Sequence, residues 1–414
     1  MPLGSRASVG PHGEVLIAQQ QRQRWGLDPG AELEIVEVAE GLLMRPFRTP
    51  LTKVYLEPTT SCNLNCQNCM RQSWDEPQGF MPIDTFLNLI AGLREVSTLR
   101  TVAFWGIGEP LLHPDIVEMI AQAGQLGAQT ELITNGLLLD RGMSKGLVHA
   151  GLDRLVVSID GTTPESQAKA RSGADLSAVQ QNLRYLQEIG WSQGRKCPDL
   201  GIEFVMTRRN VSELPGLRAL ATSMGATFIV LTNLLPYSNE SKEDILYWLS
   251  AGELYAVPHT RWFPEILVPR VDPRREYMEP LLGLLLHSGA VYWPASDGYK
   301  PYCRFVNEGA IAVAQDGEVS PCVALMHSHR CYVLGREKAV RRYSLGNVAR
   351  EDVRDIWNRD EFRQFRERVR KFEFSPCVDC GGCYMSESND EDCFGNTFPV
   401  CGDCLWAHGV IRCP

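Results

Sequence analysis

The chain has 414 residues, of which 22% are charged and 44% apolar, and its net charge is −9. That length exceeds one ordinary domain and allows a substantial core, while the acidic balance gives no chain-wide basic field for nucleic acid. No apolar run approaches the roughly 20 residues of a membrane span, and the first residues carry no signal-peptide pattern, so a cytoplasmic protein without a membrane partner is expected. In a reducing compartment, fourteen cysteines read as metal ligands in preference to disulfides.

Residues 1–48 alternate apolar and polar positions around Gly30 and Gly41, the pattern of a small β unit. The runs Gly13-Glu14-Val15-Leu16-Ile17 and Leu27-Asp28-Pro29-Gly30 resemble the swapped-hairpin domain of AbrB-type regulators, which pair as dimers and often bind DNA. Five arginines against six acids in this segment lack the basic footprint that phosphate binding needs. A docking or homodimerisation module is therefore expected in place of a DNA-binding one.

Residues 53–235 alternate strand and helix patterns, with strand candidates at 53–57, 101–106, 130–134, 154–159, 201–206 and 227–232. Helices between successive strands predict a parallel sheet, whose chemistry gathers at the carboxyl ends of the strands. Behind the first strand stand Cys62, Cys66 and Cys69, spaced C-x3-C-x2-C. Gaps this short draw three thiolates around one point, and the next cysteine is the distant Cys197. A [4Fe–4S] cluster on three thiolates keeps one iron open to a small ligand; a zinc site completed from elsewhere, or three unrelated thiols, are the plainer alternatives. Behind the second strand comes Gly106-Ile107-Gly108-Glu109-Pro110, where glycines let the backbone approach a ligand and a carboxylate can accept from an ammonium group. Behind the third comes Thr134-Asn135-Gly136. Behind the fourth comes Ser158-Ile159-Asp160-Gly161, acceptors suited to ribose hydroxyls, followed by Arg171, suited to a carboxylate.

In this order the motifs resemble those of radical S-adenosylmethionine (SAM) enzymes over residues 53–235. The resemblance implies an α/β fold, a partial (βα)6 barrel. In it Cys62, Cys66 and Cys69 hold three irons, and the fourth iron chelates the amino and carboxylate groups of SAM. Gly106, Gly108 and Glu109 match the methionine-amine motif, Ser158 and Asp160 the ribose-contacting strand end, and Arg171 the carboxylate partner. Thr134 and Asn135 join the cofactor-binding set, and Asn210 and Leu231 match positions lining ribose and adenine. The residue before the third cysteine is commonly aromatic in the family; here it is Asn68, so the adenine contact is expected from the backbone around Met70. The implied chemistry is reductive cleavage of SAM to a 5′-deoxyadenosyl radical, fed by a low-potential electron donor.

Residues 236–300, rich in proline and aromatics (Trp248, Trp262, Trp293), read as a connector on the barrel mouth. In residues 301–414, Cys303, Gly317-x4-Cys322, Gly346-Asn347 and Cys377-x2-Cys380 resemble the SPASM extension, which implies two auxiliary [4Fe–4S] clusters. Cys303 and Cys322 are paired in one and Cys377 and Cys380 in the other; Cys383, Cys393, Cys401, Cys404 and Cys413 remain undivided between them. A purely structural cluster or zinc knob and, were the chain exported, a disulfide-stapled tail are the competing readings. Cys331 is either an extra ligand or a buried free thiol, and Cys197 belongs to neither centre.

The tail NDEDCFGNTFPVCGDCLWAHGVIRCP, with the SPASM layout and the AbrB-like start, resembles the radical SAM maturases associated with tungsten-containing aldehyde ferredoxin oxidoreductases. The implied partner is that oxidoreductase, its tungstopterin cofactor or a peptide segment of it. Two other functions compete. One is a radical SAM peptide maturase forming thioether or carbon–carbon crosslinks. The other is an iron–sulfur DNA-binding redox sensor, which would require a basic N-terminal face.

Overall fold

The computed structural model describes residues 8–11, 13–25, 27, 33–38, 41–46, 50–74, 76–192, 194, 196–247, 254–257, 265–272, 274–285, 290–292, 301–380 and 383–413. Its centre is an eleven-stranded sheet. Six strands in chain order form the middle: Lys53–Leu56, Thr101–Phe104, Gln129–Thr134, Arg154–Ser158, Asp199–Met206 and Phe228–Asn233, here called first to sixth. Each pairs in parallel with the next, in register from Lys53↔Thr101 to Phe228↔Gly201. Helices and their side chains cover the sheet, so the strands are near-continuous apolar runs; every residue of the sixth is buried.

The intervening helices follow from the chain's periodicity and caps. Ile83–Leu93 buries Phe86, Leu89, Ile90 and Leu93 along one stripe. Arg141–Ala150 starts where the Asp140 carboxylate accepts the Met143 N–H and stops at Gly151, whose φ of 78° is left-handed. Thr163 and Ser166 cap Pro164–Ala170 reciprocally.

The sheet continues beyond the six strands on both sides. Glu265–Val268 lies parallel to the sixth strand, followed outward by antiparallel Leu254–Val257 and Ala290–Tyr292. The segment expected to be a connector thus contributes strands and the helix Arg275–Leu285, while Trp248, Trp262 and Trp293 lie outside the described residues. On the other flank, Ala310–Val313 pairs in parallel with the first strand, Ala310 opposite Lys53, and carries antiparallel Val319–Ser320 at the edge. The cysteine-rich unit therefore shares its sheet with the barrel.

Near the N-terminus, Ser8–Val9 pairs with Val15–Leu16 and Leu33–Val38 with Gly41–Pro46, both antiparallel, with a helix at Gln19–Trp25 between them. The strand-rich expectation agrees with this, although Asp28-Pro29-Gly30 of the AbrB-like run falls outside the described residues. Among the described residues no helix is long and apolar enough to cross a membrane.

Candidate active site at the carboxyl ends of the strands

The cysteine loop leaves the first strand and is fastened by its own polar residues. Thr59 donates to the Gly79 carbonyl at 2.6 Å, Arg71 to the Leu64 carbonyl at 2.6 Å, and Asn135 reaches across from the third strand to Asn63 at 2.8 Å. Cys62, Cys66 and Cys69 all line one cleft of about 370 Å³. Burial pushes the Cys62 and Cys66 thiols up, and the Leu64 N–H, 3.4 Å from the Cys62 sulfur, pulls the other way. Such an amide bond to sulfur is what a ligating thiolate uses. Cys62 also borders a second recess, with Gln72, Gln78 and Gly173 on its walls.

The glycine turn behind the second strand lies directly on this loop. A Cβ at Gly108 would stand 2.3 Å from the Thr59 carbonyl oxygen and 2.5 Å from that of Ser61, distances no side chain tolerates. Glu109 turns its carboxylate into the wall. Its Oε1 accepts the Leu111 N–H at 3.1 Å and the Thr134 hydroxyl at 2.6 Å, and its Oε2 accepts the Asn135 N–H at 2.8 Å. The carboxylate proposed to receive an ammonium group is thus first a brace between the second and third strand ends.

A similar shift applies behind the fourth strand. Asp160 Oδ2 accepts from Arg171 Nε at 2.6 Å and Oδ1 from the Val205 N–H at 2.8 Å. Among the described residues this Nε bond is the one hydrogen bond of the Arg171 side chain, whose terminal amino groups remain for a carboxylate in the cleft. Asn210 donates to the Asp160 and Val205 carbonyls, both at 2.9 Å, and so holds the same corner. Of the expected set, Gly106, Gly108, Glu109, Thr134, Asn135, Ser158, Asp160, Arg171 and Asn210 all line the cleft with the cysteines. Leu231 does not. It is fully buried in the apolar core, and Leu234, just past the strand, takes the cleft position.

Several lining residues escaped the sequence reading. Glu203 faces the cleft from the fifth strand, 3.3 Å from the Ser158 hydroxyl, and burial lifts its pKa to about 7 against the pull of Arg171. An acid inside an otherwise apolar strand was the signal available for it. Trp105 and Tyr237 add aromatic wall, and Val323 and Trp406 arrive from the cysteine-rich unit. The tail around Trp406 was read for its cysteines and its family resemblance, and neither assigns Trp406 to the cleft.

In that unit the thiols of Cys303, Cys322, Cys401 and Cys404 are neighbours and all free. Burial raises each; the next charge felt by Cys303 is Cys404, by Cys322 is Cys303, and by Cys401 is Cys404. Cys413 accepts from the Trp406 indole N–H at 3.1 Å. Cys377 opens the single turn Cys377–Cys380, and Cys383 and Cys393 are exposed. Cys331 packs with Tyr247, Leu405 and Val410, and burial pushes its thiol up to about 12, the setting of a free buried thiol. Cys197 lies apart, near the Leu186 and Gln187 carbonyls.

No three His, Cys, Asp or Glu among the described residues converge on a single metal ion. Three thiols sharing one loop and one cleft, one of them with an amide bond, beside a backbone turn lacking Cβ atoms and a held guanidinium, do fit an iron–sulfur cluster carrying an amino-acid ligand.

The Radical SAM superfamily model matches residues 56–200, and the SPASM model, an iron-sulfur cluster-binding domain, matches residues 303–384. The tungsten-containing aldehyde ferredoxin oxidoreductase cofactor-modifying protein of Pyrococcus furiosus is 31% identical over 375 residues, 87% of this chain and 96% of that one. The PqqA peptide cyclase of Gluconobacter oxydans is 26% identical over 366 residues, 85% of this chain and 91% of that one. The solved structure of Streptococcus suis SuiB bound to S-adenosylmethionine has the same fold, with a TM-score of 0.56 at 15% identity over 81% of this chain and 74% of that one. The chain belongs to the radical SAM superfamily and, within it, to the SPASM-bearing family of the tungsten-containing aldehyde ferredoxin oxidoreductase cofactor-modifying protein.

Proposed function

We propose that this enzyme is a maturase that modifies a tungsten-containing aldehyde ferredoxin oxidoreductase or its tungstopterin cofactor. The observation that carries this reading is the near full-length relationship to a protein named for that modification. The [4Fe–4S] cluster and SAM come with the family. Cys62, Cys66 and Cys69 would hold the cluster, which when reduced would supply the electron for cleavage of SAM. The chain's own residues orient and enclose. Gly106 and Gly108 let the turn close on Glu57 and on the cysteine loop, so that its backbone lines the cleft for the methionine end. Arg171 offers its terminal amino groups to the carboxylate, and Ser158 stands on the cleft wall for the ribose. Trp105, Tyr237 and Trp406 exclude water from the reacting end.

Two auxiliary [4Fe–4S] clusters complete the reading. The neighbouring buried thiols support Cys303, Cys322, Cys401 and Cys404 as one set; Cys377 and Cys380 begin the other, with Cys383, Cys393 and Cys413 as its remaining candidates. A low-potential electron donor serves the enzyme, and the N-terminal hairpins serve docking or homodimer formation.

The test is anaerobic reconstitution followed by a 5′-deoxyadenosine assay under a strong reductant, with Cys69→Ala as control. Purified oxidoreductase is then added, and a SAM-dependent mass change in its protein or cofactor is the expected result. A second reading, crosslinking of a ribosomally made peptide, is favoured by the similarity to PqqA peptide cyclase. A crosslinked peptide together with an unmodified oxidoreductase would replace the first reading with the second.

A further inference from the structure

His327 lies outside the cysteine sets and outside the cleft wall, yet only 1% of its surface is exposed. Its Nε2 is 2.8 Å from Glu57 Oε2 and its Nδ1 is 2.6 Å from Glu76 Oε2. Trp74 stands edge-on to the ring, with centroids 4.6 Å apart. A neutral imidazole carries one N–H and cannot donate to two ionised carboxylates; two such contacts fit an imidazolium. Burial works against that charge, but the bonds to Glu57 and Glu76 prevail and lift the pKa to about 9. The other titratable or charged groups facing this cluster are Asp316, Arg342 and His329, and His329 is held neutral by burial, its pKa lowered to about 4.

The two carboxylates belong to different parts of the active site. Glu57 follows the first strand with no exposed surface, and its Oε1 accepts the Ile107 N–H of the glycine turn at 2.9 Å. Gly106 makes room for it, because a Cβ there would stand 2.4 Å from Glu57 Cγ. Glu76 lies in the tail of the cysteine loop, and its Oε1 accepts the Ser328 N–H at 2.9 Å. One ring from the SPASM-bearing unit is therefore linked through Glu57 to the glycine turn and through Glu76 to the cysteine loop.

We propose that His327 is a positioning residue for SAM: the C-terminal unit uses it to hold Glu57 and Glu76, and through them the glycine turn and the cysteine loop, in the mutual placement that receives the methionine end. The proposal rests on SAM occupying the cleft as the family implies. It uses neither Glu57 nor Glu76 as a ligand, and it gives the auxiliary domain a task in the first reaction step besides electron transfer.

The experiment uses the full, cluster-loaded chain and reads iron content, SAM affinity, and the change that SAM produces in the low-temperature EPR spectrum of the reduced cluster. His327→Leu should keep its cluster-loop iron, bind SAM about 10-fold or more weakly, and lose the SAM-induced EPR change. The amine of SAM titrates alike in both proteins, so the ratio of wild-type to His327→Leu affinity should fall as pH rises through about 9. A His327→Leu protein with wild-type affinity and EPR change overturns the proposal. If that variant does not load iron, His327→Gln replaces it in the ratio, and a ratio unchanged between pH 7 and pH 10 overturns the proposal equally. A wild-type cluster that shows no SAM-induced change at any pH sinks the assignment of SAM to the cleft, a failure distinct from that of His327.

Discussion

Glu203 shows how much a single side chain can carry at this site. Its pKa of about 7 is raised above the ordinary carboxylate range by burial, so between the two values the native state binds the proton more tightly than the unfolded chain. Stability is therefore lost as pH rises from about 4.5 to about 7, by at most about 3 kcal/mol. Glu203→Gln removes that loss. In SAM-free protein its melting temperature should exceed that of wild type at pH 8 and match it near pH 4.5. A constant offset at both pH values would mean that the carboxyl ionises normally. Gly108→Ala makes the opposite case, a change too small to unfold the protein and placed against backbone oxygens at 2.3 and 2.5 Å. Iron content should survive while 5′-deoxyadenosine formation falls at least about 10-fold, since the turn must move away from the loop. Residue types at this scale were legible in the sequence, but their bonds were not. The motif carboxylates Glu109 and Asp160 were found by position. That each is spent on the protein's own donors depends on Thr134, Asn135, Arg171 and Val205 arriving from elsewhere in space.

Among the elements, the six strands were readable because buried parallel strands are apolar runs between turn residues. The same property hid which way Leu231 faces: with every residue of Phe228–Asn233 buried, no alternation separates cleft from core. The flanking strands escaped because neither the tetrad Glu265–Val268 nor Ala310–Val313 announces its partner, which is set by sheet order. Strands also carry charge across the sheet. Glu131 on the third strand accepts Lys53 from the first and Arg154 from the fourth, both at 2.8 Å, with 5% of its side chain exposed. Removing Glu131 takes away the buried carboxylate that both cations share. Glu131→Ala should cost about 3–5 kcal/mol, read as a lower denaturant midpoint, with iron content at low temperature unchanged. A midpoint within error of wild type would show the trio to be dispensable.

At the scale of the whole molecule, the barrel and the cysteine-rich unit are sewn together at both margins. Ala310–Val313 covers the first strand, and Asn233 at the end of the sixth strand donates to the Arg270 and Val410 carbonyls at 2.7 and 2.9 Å. A fragment ending at residue 300 would leave Lys53–Leu56 as an unpaired edge carrying Val54 and Leu56, the geometry that templates aggregation. It should be recovered as insoluble material, and a soluble, monomeric fragment would show the units to be independent. Iron quantification of the full chain should return three four-iron clusters, falling to two in a Cys303→Ala, Cys322→Ala double variant.

Cys62 borders two spaces at once, the strand-end cleft and a recess whose walls include the exposed Gln72, Gln78 and Gly173. On the proposed reading, a cluster held by Cys62 would have one ligand facing a second space besides the cleft. A reductant would then have that ligand to approach while SAM and substrate stay seated. Dioxygen would have the same approach, so the corner that would make the enzyme easy to prime is also where its decay in air should begin.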